Sequence, residues 1–505
     1  MTYSNRWLNR AITAIMARPR MFRIIEQIYS ARFSVWAQNL AISAYGTYWK
    51  NMRLGGKYQD HVKGFRERDR WSKEQMDHYT QTALRKVLLH AFDSVPFYRD
   101  SWQKIGIRRS ELEQFTYDDL NRLPITRKLD LRTSSEQFIA IDVASREKIF
   151  RYNTSGSTGT PIAIAITKED HRRALAAREA RSFGWAGASI QMKRSMIGGR
   201  QIIPRMFSVP PFHRLNWSEQ QIYFPAYHIS PDHVMDFVSG LNEFRPEVLT
   251  GYSYSHFILA KMMLDHKVTL DFEPVAAILG SEKLTPEMKQ VIGESFRTRA
   301  YEEYGCVENC ILATECEHGS LHLHSDFGLA EILDAEGRRV KDGEEGRIVC
   351  TSLTREAQPL IRYEIGDLGI FSEKQCPCGR DQLPVLKEIT GRIEDMITGK
   401  DGSEMVRFVG LFYGLDSVIE GQVVQEDVEK FTINVVAGKG FGQTERETIL
   451  KRFANDRLGP VSVSIDIVRE IPRTERGKFR LIHNKIPKDR REALRRAHEL
   501  RRRGK

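Results

Sequence analysis

Two hydrophobic rhythms divide the chain. Over residues 1 to 60, Trp7, Phe22, Ile25, Ile28, Tyr29, Phe33, Trp36, Leu40, Ile42, Tyr45 and Trp49 recur among basic residues. At helical spacing they predict helices with an apolar stripe beside a cationic face. Such stripes usually face a core, so packing on the main domain is the expected outcome, with a helix lying on a membrane surface as the alternative. From about residue 85 to 387 helical segments alternate with short apolar runs such as 275–279 and 346–350, the pattern of an α/β sheet domain. Beyond Gly391 a strand-rich stretch at 417–436, a helix near 445–458 and a strand at 461–468 predict a small α+β domain.

The 505 residues, 41% of them hydrophobic, suit folded cores in more than one domain. No uninterrupted apolar run is long enough to span a bilayer. Arg6, Arg10, Arg18 and Arg20 interrupt any secretory apolar core, so a cytoplasmic location is expected. Six cysteines, clustered between Cys306 and Cys378, do not make a disulfide framework and point to a metal or to reduced thiols. The net charge of +11 is concentrated in a Lys/Arg run over 485–505. A solvated helical tail is expected there; without interleaved aromatics, no nucleic-acid partner is.

The most informative stretch is Thr154-Ser155-Gly156-Ser157-Thr158-Gly159-Thr160-Pro161. A Walker A loop closes on Gly-Lys-Ser/Thr, and here Pro161 and Ile162 stand in that place. What remains is a run of hydroxyls and two glycines whose backbone can approach an anion closely. Residues 149–153 and 162–167 on either side read as short strands, so a polar turn between strands is the alternative.

Four further motifs follow in order: Tyr304-Gly305-Cys306-Val307-Glu308, Arg362-Tyr363-Glu364-Ile365-Gly366-Asp367, Gly391-Arg392-Ile393-Glu394-Asp395 and Pro472-Arg473-Thr474-Glu475-Arg476-Gly477-Lys478. With the first loop they resemble the adenylate-forming superfamily, over about residues 79 to 487. Val95-Pro96-Phe97-Tyr98, Cys316-Glu317-His318-Gly319, Pro359-Leu360-Ile361-Arg362-Tyr363 and Cys376-Pro377-Cys378-Gly379-Arg380 resemble its phenylacetate-CoA ligase group, in particular the CapK-like branch associated with capsular polysaccharide genes.

The resemblance implies an α/β fold with a large N-terminal adenylate-forming domain and a small C-terminal α+β lid. The boundaries expected are a basic, largely helical extension at 1–78, the large ATP- and acyl-binding domain at 79–390, the mobile domain at 391–487 and a basic tail at 488–505. It implies that Thr154, Ser155, Gly156, Ser157, Thr158, Gly159 and Thr160 wrap the β- and γ-phosphates of ATP. Glu308 would hold Mg2+, Tyr304 with Gly305 would meet adenine, and Gly280-Ser281-Glu282 would form the upstream nucleotide turn. Asp367 would accept from both ribose hydroxyls, and Arg392 would reach the ribose or a phosphate. Glu394 or Asp395 would mark the hinge, and Lys478 would enter the site when the small domain closes.

Two positions depart from the family pattern. Val307 stands where a threonine usually precedes the glutamate, removing a hydroxyl from the α-phosphate, and Glu394 replaces the usual Asp or Lys at the hinge.

The reaction implied is activation of a small carboxylic acid as acyl-AMP and transfer to coenzyme A. The alternatives are transfer to an amine or hydroxyl of a sugar, a degenerate nucleotide-binding scaffold and, weakest, a nucleic-acid binder. Homodimers occur among the proteins it resembles. Phe183, Trp185, Tyr223, Phe224, Tyr252 and Tyr254 read either as an aryl pocket or as core.

Cys316, His322, Cys376 and Cys378 offer four ligands of the kind that hold structural zinc, with buried free thiols as the alternative. His318 is the other histidine, a short reach from Cys316. Cys306, Cys310 and Cys350 are expected to pack as small apolar residues.

Overall fold

The computed structural model describes residues 34–153, 162–200, 202–203, 209–230, 232–392, 397–400, 402, 404–405, 411–412, 415, 417–454, 461–472 and 479–503. The hairpin β1 (Phe150–Asn153) and β2 (Ala163–Ile166) pairs Asn153 with Ala163, on the two sides of the segment 154–161. Both strands fall where the sequence places them.

The centre is a mixed sheet. It comprises β3 (Arg194–Gly198), β4 (Arg214–Asn216), β5 (Gln221–Pro225), β6 (Val248–Tyr252), β7 (Ala276–Gly280), β8 (Ala300–Gly305), β9 (Leu312–Glu315), β10 (Leu321–Leu323), β11 (Gly328–Leu333), β12 (Glu345–Ser352), β13 (Tyr363–Phe371) and β14 (Val385–Arg392). Their order is β11-β12-β13-β14-β10-β9-β8-β7-β6-β3-β5-β4. Strands β8, β7, β6, β3 and β5 run parallel. Ala-Ala-Ile-Leu-Gly in β7 and Gln-Ile-Tyr-Phe-Pro in β5 are the near-continuous apolar runs that strands covered on both faces require. Their carboxyl ends, at Gly198, Pro225, Tyr252, Gly280 and Gly305, form one edge, where open α/β sheets bind ligands. Backbones close tightly there: a Cβ on Gly251 would lie 2.0 Å from the Ile197 carbonyl, at φ +130°, and one on Gly280 would lie 2.4 Å from that of Glu303.

The helices that matter for the site are α1 (Val35–Leu54), α2 (Tyr58–Arg68), α3 (Lys73–Ser94), α4 (Lys168–Ala177), α5 (Val234–Phe244), α6 (Ser253–Asp265) and α7 (Pro286–Phe296). Phe237, Leu259, Met263 and Ile292 of α5 to α7 bury against Ile197, Ile222, Leu249 and Leu279 of the parallel strands. Leu84, Leu88 and Phe92 of α3 share a second core with Ile348, Cys350 and Tyr363.

Of the extension expected at 1–78, residues 1–33 lie outside the described residues; within the rest, α1 and α2 are helices, and α2 is built into this domain. Tyr58, Val62 and Phe65 of α2 pack on Ala174 and Ala177 of α4. The fully buried Arg181 donates to both Asp326 oxygens at 2.7 and 3.0 Å and to Asp69 at 2.6 Å. Arg68 donates to Asp326 at 2.5 Å, and the two guanidinium groups hold its carboxyl well below the usual carboxylate range despite burial.

Helix α1 also packs on the main domain, but through a polar stripe. Arg214 donates to Gln38 at 2.6 Å, the Leu215 amide to Asn39 at 3.0 Å and the Trp217 amide to Ser43 at 2.9 Å. Strand β4 is a sheet edge whose outward amides need acceptors, and α1 supplies them. Trp36 and Leu40 of the expected apolar stripe face away, while Ile42 is buried.

After β14 a short ladder pairs β15 (Ile397–Thr398) with β16 (Glu404–Met405), and the small domain's sheet has the order β19-β18-β17-β20, from β17 (Val418–Asp427), β18 (Lys430–Ala437), β19 (Ser462–Ile467) and β20 (Ile482–Asn484). Helix α8 (Gln443–Ala454) buries Ile449 and Phe453 against Val423, Phe431 and Ile433. Helix α9 (Lys488–Arg503) follows. No helix among the described residues is long and apolar enough to cross a membrane.

Candidate active site

Residues from three motifs meet beside the carboxyl ends of the parallel strands. Tyr304 near the end of β8 donates its hydroxyl to Asp367 of β13 at 2.8 Å. Burial and the Asp367 carboxylate push the Tyr304 phenol well above its usual range, so it remains a protonated donor. Asp367 lies opposite Arg392 of β14 in the sheet register, which joins the third motif to the start of the hinge segment.

Glu308 is buried and accepts from the Tyr363 hydroxyl at 3.1 Å. Burial, with Glu308 alongside, drives the Tyr363 phenol far up, which fixes the direction of that hydrogen bond. The buried Arg355 donates to the Glu308 carbonyl at 2.5 Å and to the Ala165 carbonyl at 2.8 Å. Gln358 in turn accepts from the Ala165 amide at 3.0 Å. Strand β2, which leaves the 154–161 segment, is thereby tied to the glutamate motif. Val307, where a threonine was expected, is 43% exposed.

The upstream turn is the third component. Ser281 adopts φ +67°, an unusual conformation for a residue with a side chain. Glu282 accepts from the Tyr254 amide at 3.1 Å with one oxygen and from the Phe479 amide at 3.0 Å with the other. The Tyr254 and Phe479 rings stack at 3.9 Å and 9°. Lys261 of α6 donates to the Val418 carbonyl of β17 at 2.6 Å, a second tie between the domains.

Thr154 to Thr160, Glu394, Asp395 and Lys478 lie outside the described residues, and the side chain of Arg392 is likewise not described. Of the described residues that flank them, Asn153 pairs with Ala163 in the β1–β2 hairpin, and the Phe479 amide bonds to Glu282. Sequence reasoning missed Tyr363, Arg355 and the Tyr254–Phe479 pair, although Tyr363 sits within a motif quoted for the resemblance. Of the aromatics weighed as an aryl pocket, Phe183, Tyr223 and Phe224 are core, whereas Tyr254 faces Phe479.

The four Cys and His residues named as candidate ligands come together in the fold. Ligand atoms of Cys316, His322, Cys376 and Cys378 all lie within 4.8 Å of one another. Cys316 and Cys376 Sγ are 3.6 Å apart, and Cys378 Sγ is 3.2 Å from His322 Nε2. His322 Nδ1 donates to the Leu383 carbonyl at 3.1 Å, which leaves Nε2 as the ligating nitrogen. Burial pushes the Cys316 thiol up to about 11. Cys376 moves down, as hydrogen bonds from Ser320 and the Cys378 amide outweigh its burial. His318 instead directs its amide to Cys316 Sγ at 3.3 Å. Cys310 and Cys350 are core residues, as expected, and Cys306 packs against them, its sulfur 3.5 Å from that of Cys310.

Residues 397–485 match the family model of the CapK C-terminal domain. The chain is 26% identical to Protein CapK of Staphylococcus aureus over 464 residues, covering 89% of this chain and 97% of that relative. It is 27% identical to a phenylacetate-coenzyme A ligase of Thermus thermophilus over 336 residues, 64% of this chain and 72% of the relative. Among solved structures it is similar to 2-hydroxyisobutyryl-CoA ligase in the postadenylation state, with a TM-score of 0.63, 23% identity and coverage of 84% of this chain and 92% of the other. The chain is therefore similar to CapK and to the phenylacetate-coenzyme A ligases along most of its length, carries a match to the CapK C-terminal domain at 397–485, and shares the fold of the 2-hydroxyisobutyryl-CoA ligase structure.

Proposed function

We propose that the protein is an ATP-dependent carboxylate ligase that forms an acyl adenylate and passes the acyl group to coenzyme A. The observation that carries this reading is the docking of Phe479, the neighbour of Lys478, on Glu282 and Tyr254 at the nucleotide turn. The phenylacetate-coenzyme A ligases among its relatives support the same reaction class.

In the first step a carboxylate oxygen bonds to the α-phosphorus of ATP and the bond to the bridging oxygen breaks, releasing pyrophosphate. Positioning and electrostatics do most of that work. Amides and hydroxyls of 154–160 cradle the outer phosphates, Asp367 accepts from the ribose hydroxyls, and Tyr304 and Gly305 meet the adenine. Arg392 reaches the ribose or a phosphate from the hinge side. Lys478 neutralises charge between the carboxylate and the α-phosphate. Glu308, an ionisable oxygen ligand held by Tyr363, fits Mg2+, which would offset phosphate charge.

The small domain then turns about Glu394 or Asp395. The thiol sulfur of coenzyme A bonds to the acyl carbon, AMP departs, and the thiol proton passes to water. Cys316, His322, Cys376 and Cys378 fit a structural zinc: with four protein ligands the site is closed to water and braces two loops of the large domain.

The CapK-type C-terminal domain favours a second reading, in which the acceptor is a sugar amine or hydroxyl. Mass analysis after incubation with acid and ATP separates the two. The first reading predicts an acyl thioester when coenzyme A is added; the second predicts no thioester and adenylate consumption only when an amino or hydroxyl sugar is present.

A further inference from the structure

Resting on the reaction assigned above, we propose that Tyr254, Glu282 and Lys261 are positioning residues that clasp the small domain on α6 for the adenylate-forming step and release it for the thioester-forming step. Helix α6 is buried on nearly every side, with Leu259 and Met263 against the parallel strands. A helix covered all round lies between two layers. Tyr254, Phe257 and Lys261, at i, i+3 and i+7, share the face opposite those residues. The small domain covers that face: the Phe479 ring stacks on Tyr254, Ile419 packs on the core that Tyr254 and Phe257 border, and Lys261 donates to the Val418 carbonyl at 2.6 Å. Val418 opens β17 and Phe479 lies just before β20, and these strands pair in parallel, so both contacts fall at one end of the small sheet.

Glu282 joins the two domains through its two oxygens. One accepts from the Tyr254 amide at 3.1 Å and the other from the Phe479 amide at 3.0 Å. The Tyr254 amide lies in the first turn of α6, where no helical carbonyl is within reach and the helix favours a negative charge. The Ser253 hydroxyl donates to the Glu282 carbonyl at 3.1 Å, so the turn and the start of the helix form one unit. The large domain thus fixes the carboxylate before the small domain arrives, and the Phe479 amide finds a prepared acceptor. Phe479 follows Lys478 in the chain, and consecutive Cα atoms are about 3.8 Å apart, so holding the Phe479 amide limits where Lys478 can reach. One ring pair, one shared carboxylate and one lysine–carbonyl bond make up the clasp, and a turn of the small domain breaks all three together.

The test compares wild type, Tyr254→Ala, Tyr254→Phe and Lys261→Met in two half-reactions: exchange of labelled pyrophosphate into ATP with aryl, fatty, hydroxy and amino acids, and thioester formation from coenzyme A and the synthetic adenylate of the acid that supports exchange. Amide hydrogen exchange at Phe479, in the full chain without ligands, reads the clasp itself. Pyrophosphate exchange is expected to fall about tenfold or more in Tyr254→Ala and about threefold in Lys261→Met, and to stay within about twofold in Tyr254→Phe, which keeps the ring. Thioester formation is expected to stay within about twofold in all three variants. The Phe479 amide of Tyr254→Ala is expected to exchange at least about tenfold faster, at an unchanged melting temperature. A residue that only supported the fold would lower both half-reactions and the melting temperature together. Equal losses in the two half-reactions, a loss confined to the thioester step, a Tyr254→Phe defect equal to that of Tyr254→Ala, or a Phe479 amide as open in wild type as in Tyr254→Ala would overturn the proposal. Wild type inert with every acid while its Phe479 amide is protected would overturn the ligase reading and the half-reaction assigned here, and would leave the contact between the domains standing.

Discussion

Glu308→Gln lowers acid-dependent pyrophosphate release about 10²- to 10³-fold, the range for losing one electrostatic contact made to the transition state. The substitution keeps the length of the side chain and an oxygen to accept from the Tyr363 hydroxyl, and it leaves the Arg355 bond to the main-chain carbonyl untouched. What it removes is the negative charge that makes residue 308 a ligand for a hard cation. The loss therefore falls on kcat at saturating ATP and Mg2+, while the melting temperature stays within about 2 °C, as expected of a change that deletes no buried contact. Tyr363→Phe isolates the supporting shell. It frees the carboxylate to rotate, and its smaller defect appears as a raised Mg2+ requirement. A Glu308→Gln enzyme within threefold of wild type would remove Glu308 from the machinery.

The second large effect concerns the cysteine and histidine group. Purified protein is expected to hold one zinc per chain, and Cys376→Ser/Cys378→Ser is expected to lose it, with a fall in melting temperature of about 10 °C or more. Four ligand atoms within 4.8 Å are close to a tetrahedral set, since Zn–S bonds of about 2.3 Å place sulfurs about 3.8 Å apart. The group joins the β9–β10 turn at Cys316 to the β13–β14 connection at Cys376 and Cys378, and β14 leads into the hinge segment. Without the ion, buried thiols face one another with nothing to replace the bonds they would make to it, and the two loops separate. Elemental analysis and calorimetry check both halves. Metal-free protein with an unchanged melting temperature would leave these residues as packed thiols.

The parts legible in the sequence were those written in local pattern. Apolar runs such as Ala276–Gly280 announced the parallel strands, and the small-residue segment between two short β runs announced the hairpin that bears it. Cys376-Pro377-Cys378 and the upstream Cys316 and histidines stand out as ligand types in the sequence, whereas which histidine joins the sulfurs depends on the fold: the His322 ring lies with them, and His318 meets Cys316 through its amide. The parts that were not legible depend on partners distant in the chain. Glu282 and the Phe479 amide are 197 residues apart, and Tyr363 meets Glu308 across 55. Of the N-terminal apolar stripe, the described part lies on the helix α1, but the face that packs is the polar one, set by the amides of Leu215 in the edge strand β4 and of Trp217 just after it, 170 or more residues away. A sheet edge's need for hydrogen-bond acceptors leaves no mark in the periodicity of the helix that meets it.

Adenylation is measured most directly by exchange of labelled pyrophosphate into ATP. The assay uses wild type and Lys478→Ala with Mg2+ and a panel of aryl, fatty, hydroxy and amino acids. Exchange is expected to depend on one class of acid and to fall at least about a hundredfold in the variant. Exchange that persists in Lys478→Ala, or tight ATP binding with no exchange for any acid, would contradict that expectation.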